Sequence, residues 1–440
     1  MKLSLEEIYN IFISSTGISI DSRSTKNGQI FIAIKGENND GNAYVEDALN
    51  NGAKYCITNR NELLDDSRCI IVADTYQTLV DLAKIHRDHF SIPVIAITGS
   101  NGKTTSKELI AKVLSTQYNV LYTEGNLNNE LGLPLTILKL NTTHEIAVVE
   151  MGAAKLGDIN FLCEIAKPTH GLITTIGRAH IGRFGSFENI IKAKTELFDF
   201  LKKHNGLAFI NEDDPILTPF AHSINTIFYG RNNPNTQVSN VSALPFLSFE
   251  WNYNDKNYRI ETHLFGDYNL VHTLAAISIG LYFNISSENI VKAITEYIPT
   301  NSRSQIIYND KNIIIMDAYN ANPTSMEAAL INFFSIPIDF FDNKNTTIKP
   351  KKRATILGEM MELGEYAHDE HKNILNLIKS YNPDIAIFVG ENFYQFKENF
   401  PQFQFVPNTK ELINFIVNNP LNEYLVLVKG SRANALEKIL

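Results

Sequence analysis

Ile92-Pro-Val-Ile-Ala-Ile-Thr-Gly-Ser-Asn-Gly-Lys-Thr-Thr-Ser-Lys-Glu108 is the stretch whose reading decides the fold. Its apolar run, Val94 to Ile97, suits a buried parallel strand, and the glycines that follow break it into a segment of helical character. Gly99 and Gly102 let the backbone between them turn its N–H groups inward around an anion. Lys103 adds a mobile positive charge and Thr104 a hydroxyl suited to a magnesium ion. The helix that starts there aims its positive dipole end at the same point. Ile97 stands where the common G-x-x-x-x-G-K-[ST] pattern has its first glycine. The stretch alone therefore fits either a phosphate loop or a glycine-rich strand-to-helix turn with an exposed lysine.

The segments on either side favour the phosphate loop. Residues 89–299 alternate strand and helix, with strands expected at 94–97, 146–150, 171–176 and 207–210, the pattern of a wound parallel sheet. Ligands of such sheets gather at the carboxyl ends of the strands, and Lys103, Thr104, Glu150 and His180 fall there in succession. Singly, Glu150 suits a magnesium ligand or a helix cap, and His180 a functional group or a satisfied surface histidine. Asn126, Asn128 and Asn129 offer more donors and acceptors than a turn needs, so substrate or phosphate contact competes with a generic polar loop. Ala193-Lys194-Thr195-Glu196 falls in a helix, where an exposed Lys/Glu pair is the default. Asn269 and His272 open the apolar helix Leu270 to Tyr282 and could reach a base or cap that helix. Residues 231–260, with the single tryptophan Trp251, read as a peripheral sheet to which no function attaches.

Upstream, residues 1–88 read as a small α/β unit with strands at Ile30 to Ile34 and Tyr55 to Thr58 and a helix from Tyr44 to Asn51. Ser22 and Arg23 precede the first of these strands, and the Lys35-Gly36 turn follows it. An arginine among hydroxyls and loop amides suits a phosphate, and a capped surface turn accounts for the same residues. After Pro299 the alternation restarts over residues 300–440. Strands are expected at 312–316, 354–357, 385–390 and 424–429, a helix from Ser325, and a long polar connection from Ile336 to Lys352. Asp317 and the Lys429 to Arg432 turn again mark strand ends. The expectation is thus three α/β domains, each with its own core, the central one wound around a parallel sheet and the C-terminal one doubly wound, with a hinge near Pro299 to Arg303.

A chain of 440 residues exceeds one hydrophobic core, and 44% hydrophobic with 20% charged residues is ordinary for a globular protein. The net charge of -9, with one short basic cluster from Lys349 to Arg353, argues against nucleic acid as a main partner. The opening seven residues include two glutamates, and no apolar run approaches the roughly 20 residues of a membrane span, so a cytoplasmic protein without stable membrane association is expected. Cys56, Cys69 and Cys163 are odd in number and set in apolar surroundings, which suits buried reduced thiols.

Taken together, these motifs resemble those of the Mur ligases, ATP-dependent amide ligases of bacterial cell-wall precursor synthesis. The resemblance runs through Asp-Ser-Arg, Lys-Gly-Glu, Thr-Gly-Ser-Asn-Gly-Lys-Thr, Gly-Asn-Leu-Asn-Asn, Glu-Met-Gly, Ala-His with Phe-Gly-Ser, Ala-Lys-Thr-Glu, Tyr-Asn-Ala-Asn-Pro, Leu-Gly-Glu-Met-Met-Glu-Leu-Gly and Lys-Gly-Ser-Arg, in that order. Tyr319 to Pro323 with Leu357 to Gly364 point to the member that joins D-alanyl-D-alanine to UDP-N-acetylmuramoyl-tripeptide. The resemblance implies that residues 1–88 bind the UDP substrate, 89–299 bind ATP, and 300–440 close on ATP and present the dipeptide. It also implies a monomer, ATP as co-substrate and two magnesium ions.

By the same resemblance, Gly99, Ser100, Asn101, Gly102, Lys103, Thr104 and Thr105 would hold the phosphates, while Asn269, Arg303 and Asp317 would hold base and ribose. Ser22, Arg23, Lys35 and Gly36 would grip the UDP end, and Asn126, Asn128, Asn129, Asn320 and Asn322 would contact substrate. Catalysis would rest on Lys103, Glu150, His180 and Lys194. Thr104, Glu150, His180 and a carbamylated Lys194 would serve the metals. Three departures stand out. Gly266-Asp267-Tyr268-Asn269 replaces Gly-Arg-His-Asn, Met316-Asp317 replaces a paired Asp-Asp, and Thr195 replaces a glycine. The alternatives are a ligase adding the diamino-acid residue or a folate glutamate, which should lack Tyr-Asn-Ala-Asn-Pro, and a P-loop NTPase or kinase.

Overall fold

Val94–Thr98 is buried along its whole length and lies inside a parallel sheet, which is why it tolerates no polar alternation. The computed structural model describes residues 1–36, 39–299, 303, 305–343 and 348–440. Among these, the central sheet is six-stranded and all parallel, in the spatial order Asn225–Tyr229, Leu207–Asn211, His170–Ile173, Val94–Thr98, Ile146–Glu150, Val120–Tyr122. The chain leaves Val94–Thr98 for one side of the sheet and returns to its other side, so the loop after Thr98 sits at a topological switch point.

The third strand ends at Ile173, short of the expected 176. Beyond it, the Thr174 hydroxyl donates to the Asn101 carbonyl at 2.6 Å and the Thr175 carbonyl accepts the Ser100 N–H at 2.8 Å. These groups serve the loop instead of the ladder.

The first domain carries a four-stranded parallel sheet, Ile18–Ser19, Ile30–Ile32, Tyr55–Thr58, Cys69–Ile71. The three cysteines are free and buried. Residues 238–265 form a three-stranded antiparallel sheet, and Trp251 is buried within it, its Nε1 donating to the Asn235 carbonyl at 3.0 Å. The last domain holds a six-stranded mixed sheet, ordered Gln305–Tyr308, Ile313–Asp317, Tyr424–Lys429, Lys352–Gly358, Ile385–Val389, Gln404–Val406, whose first strand is antiparallel to its neighbour. Its first helix begins at Pro323, two residues before the expected Ser325, because the Asn322 side chain accepts the Ser325 N–H at 3.0 Å and proline suits the first helical position.

The expectation of a separate core for each domain is corrected. One continuous apolar cluster joins Ile8, Phe12 and Leu79 of the first domain to Leu133, Ile137 and Ile165 of the second. Polar ties reinforce it. His86 donates through Nε2 to the Leu140 carbonyl at 2.9 Å, and buried Arg87 donates through Nε to the Ala166 carbonyl at 2.8 Å. The core of the third domain likewise takes in Ile181, Phe184, Ile190 and Ala193 of the second. Ile336 and Phe341 are buried in that same core, so the start of the expected polar connection is packed. Residues 300–302 of the expected hinge, Glu37 of the Lys-Gly-Glu turn, and 344–347 of the connection lie outside the described residues.

A shared core predicts that residues 1–299 unfold as one unit. Arg87→Ala strands several carbonyls and should cost about 2–3 kcal/mol. In urea, hydrogen exchange should show peptides around 28–34 and 94–98 losing protection together, at a lower concentration in the variant. Loss of protection in the first domain well before the second would contradict this.

Candidate active site

The loop after Thr98 forms a cradle because two of its residues lack side chains. Gly99 has φ +144° and a Cβ there would lie 2.1 Å from Thr174 Oγ1; Gly102 has φ +75° and a Cβ there would lie 2.0 Å from the His272 ring. Gly102 leaves the helix Lys103–Leu114 without a side-chain cap, so its first N–H groups remain available to an anion. The Lys103 ammonium donates to the Gly99 carbonyl at 2.8 Å. Burial lowers its pKa, with Glu150 opposing the shift and Arg303 adding to it.

Glu150 closes its strand facing this helix. It accepts the Thr104 hydroxyl at 2.8 Å on one oxygen and the Asn128 amide at 2.7 Å on the other. It therefore caps no helix, and hydroxyl and carboxylate stand together where a hard cation could bridge them to a phosphate. Asn129 is partly committed to its own loop, its Oδ1 accepting the Gly132 N–H at 2.9 Å. His272, fully enclosed, sits 3.0 Å through Nδ1 from Ser106 Oγ and walls the cradle from behind. The side chain of Asn269 does not cap the following helix and instead donates to the Phe265 carbonyl at 2.7 Å.

Across from these groups stand the strand ends of the third domain. Asp317 and Lys429 are register partners on adjacent strands and pair at 2.5 Å. The Arg303 guanidinium lies 3.8 Å from the Tyr319 ring centroid, a cation–π contact. Asn322 caps its helix and also donates through Nδ2 to Asn101 Oδ1 at 2.7 Å, tying the third domain to the phosphate loop. The Asn320 side chain accepts the Ala321 N–H at 2.9 Å.

His180 lies between the two sides with φ +56°. Its Nδ1 contacts the Glu362 carboxylate, which also pairs with Arg183 at 2.7 Å. Burial, reinforced by the charges of Lys103, Lys194 and Arg183, lowers the His180 pKa to about 4, so the imidazole is neutral at physiological pH. The expected exposed Lys194/Glu196 pair is not formed. Lys194 is 2% exposed, and its ammonium lies 5.7 Å from the Phe184 ring centroid. Burial first, then Lys103, brings its pKa down to about 7, with Asp158 and Glu196 opposing. Glu196 instead accepts the Gly157 and Asn160 N–H groups at 2.6 and 3.0 Å. Thr195 folds back onto the Ile191 carbonyl at 3.0 Å and so turns away from any ligand.

One cavity of about 1190 Å³ gathers Ser100 to Thr105, Glu150, His180, Asn269, Arg303 and Asp317, with Asn126, Asn128, Asn129 and Asn320 also on its wall. Ser22, Arg23, Lys35 and Gly36 lie outside it, and Gly99, Lys194 and Asn322 are not part of its wall either. Arg23 is exposed and bidentate on Asp21, while the Gly36 N–H donates to the Asn39 carbonyl at 2.8 Å within its own turn. Tyr76, Arg183, Tyr319 and Glu362 line the cavity without having been singled out from sequence. Tyr319 and Glu362 sit inside recognised motifs, whereas Tyr76 and Arg183 carry no spacing signal. Among the described residues no three His, Cys, Asp or Glu side chains converge. Thr104 with Glu150, and His180 apart from them, fit magnesium that completes its octahedron with water and phosphate oxygens better than a dedicated protein cage.

Comparison with known proteins agrees along the length of the chain. Residues 14–96 match the family model described as Mur ligase family, catalytic domain; 97–280 match the Mur ligase middle domain; and 302–432 match the Mur ligase, glutamate ligase domain. The chain is 34% identical over 436 residues to UDP-N-acetylmuramoyl-tripeptide--D-alanyl-D-alanine ligase of Bacillus subtilis (strain 168), covering 96% of this chain and 92% of that one. Among solved structures, MurF from Acinetobacter baumannii superposes with TM-score 0.83 at 28% identity, covering 99% of this chain and 97% of that one. MurF ligase from Thermotoga maritima in complex with ADP gives 0.82 at 25% identity, covering 97% and 96%. The chain belongs to the Mur ligase family.

Proposed function

We propose that the chain is an ATP-dependent amide ligase that joins D-alanyl-D-alanine to UDP-N-acetylmuramoyl-tripeptide in peptidoglycan precursor synthesis. The observation that carries this is the meeting of two switch-point clusters across one cavity, Lys103, Thr104 and Glu150 from one sheet and Asp317 and Lys429 from the other. ATP lies between them. The tripeptide's terminal carboxylate attacks the γ-phosphorus, forming an acyl phosphate and releasing ADP. The dipeptide amine then attacks the acyl carbon, and collapse of the tetrahedral adduct expels phosphate as the amine loses its proton.

The protein's work is positioning and charge neutralisation. The uncapped helix start and Lys103 hold the β- and γ-phosphates. Arg303, Asp317 and Asn269 hold the nucleoside, and the Tyr319 ring holds the guanidinium in position. Thr104 and Glu150 would hold one magnesium and His180 a second; magnesium, when bound, would offset the charge that gathers as the acyl phosphate forms. Ser22, Arg23 and the Lys35-Gly36 turn grip the UDP end, Asn126, Asn128 and Asn129 contact the tripeptide, and Asn320 with Asn322 shape the dipeptide end. The chain acts as a monomer in the cytoplasm, where ATP is supplied.

Lys194 serves as a carbamate. Its depressed pKa leaves much of the amine neutral near pH 7, the form that adds CO₂ with formation of an N–C bond and release of a proton. The product is an anionic oxygen ligand in place of a cation that Lys103 repels.

Three outcomes test these assignments. ADP release should require both UDP-muramoyl-tripeptide and D-alanyl-D-alanine; release with either alone would favour a simple NTPase. Lys103→Ala should lower turnover by about 10²- to 10³-fold or more while leaving the circular dichroism spectrum unchanged, and near-normal turnover would sink its role. Lys194→Ala should lose most activity and recover part of it with added formate. Full activity of that variant in CO₂-depleted buffer would refute the carbamate.

A further inference from the structure

Glu362 belongs to the third domain, yet its partners are all in the second. Its carboxylate meets His180 Nδ1 and pairs with Arg183 at 2.7 Å, while its carbonyl accepts the Gly182 N–H at 3.1 Å. Gly182 packs so closely on the opposite chain that a Cβ there would lie 2.4 Å from the Gly364 nitrogen. His180 and Glu362 both adopt left-handed backbone, φ +56° and +63°, a conformation that non-glycine residues rarely take. Two such residues facing each other across a domain boundary are held by their surroundings, and such positions concentrate at functional sites. The Glu362 segment is braced from behind. The Met360 N–H donates to Nε2 of buried His371 at 3.0 Å, so His371 Nδ1 donates to the Ala367 carbonyl at 2.6 Å.

We propose that Glu362 is a positioning residue through which closure of the third domain orients His180. An ionised carboxylate only accepts, so the proton sits on Nδ1 and the lone pair on Nε2, the tautomer a metal ligand needs. In the absence of the third domain nothing in this contact fixes the ring, so the site completes only when the domains meet. This rests on His180 as a metal ligand, as proposed above.

The test is Mn²⁺ titration of the full chain by electron paramagnetic resonance, with a non-hydrolysable ATP analogue and UDP-tripeptide present. Glu362→Ala should weaken the weaker of the two Mn²⁺ ions by about 10- to 100-fold, leave the tighter ion unchanged, and lower kcat with little change in KM for ATP. Glu362→Asp should recover part of the loss. Gly182→Val, which keeps the carboxylate but wedges the contact apart, should weaken the same ion. If His180→Ala weakens that ion while Glu362→Ala and Gly182→Val do not, the coupling is wrong and the metal assignment stands. If none of the three changes Mn²⁺ binding, His180 is not a ligand and both fall.

Discussion

A half-buried ammonium held by backbone carbonyls is the constraint around which the site is arranged. Lys103 is steered by Gly99 and Ser100 rather than quenched by a close carboxylate, so its charge stays directed at the cavity. The desolvation cost of that charge would fall when an anion arrived, so on the proposed role phosphate binding and relief of desolvation are one event. The glycines that permit the cradle, the histidine that walls it and the glutamate that neighbours it follow from this one need. So does the surplus of cations around it. Lys103, Arg183 and Arg303 all line the one cavity, a concentration of positive charge suited to a polyanion.

Much of this was legible in the chain. The strand at 146–150 and the helix from Leu270 to Tyr282 follow from apolar runs with polar punctuation. The grouping of Lys103, Thr104, Glu150 and His180 follows from the rule that polar residues ending parallel strands share one edge. Lys194 shows the limit. Its helix places it by periodicity, but whether a lysine faces water depends on what another domain lays over it. Ile181 and Phe184, which help to cover that region, are themselves claimed by the core of the third domain.

The same limit explains Glu362 and Tyr76. No local pattern states that a glutamate in one domain will meet a histidine in another, or that a first-domain tyrosine will line a cavity of the second. Asn322 shows that one residue can have several partners: it caps a helix, takes part in the motif and reaches the phosphate loop through Asn101. The shared core between the first two domains was hidden for a similar reason. Amphipathic helices such as Thr75–Asp88 announce that they bury a face, but not against what.

That shared core has a consequence for substrate choice. With the first domain fused to the central sheet, the span from the Arg23 and Lys35 turns to Lys103 behaves as a fixed ruler. On the proposed placement of the UDP end at these turns, a precursor lacking a residue could not be met by flexing the protein, because shortening the ruler would mean tearing apart buried side chains. On that placement, chain length would be read by a rigid body.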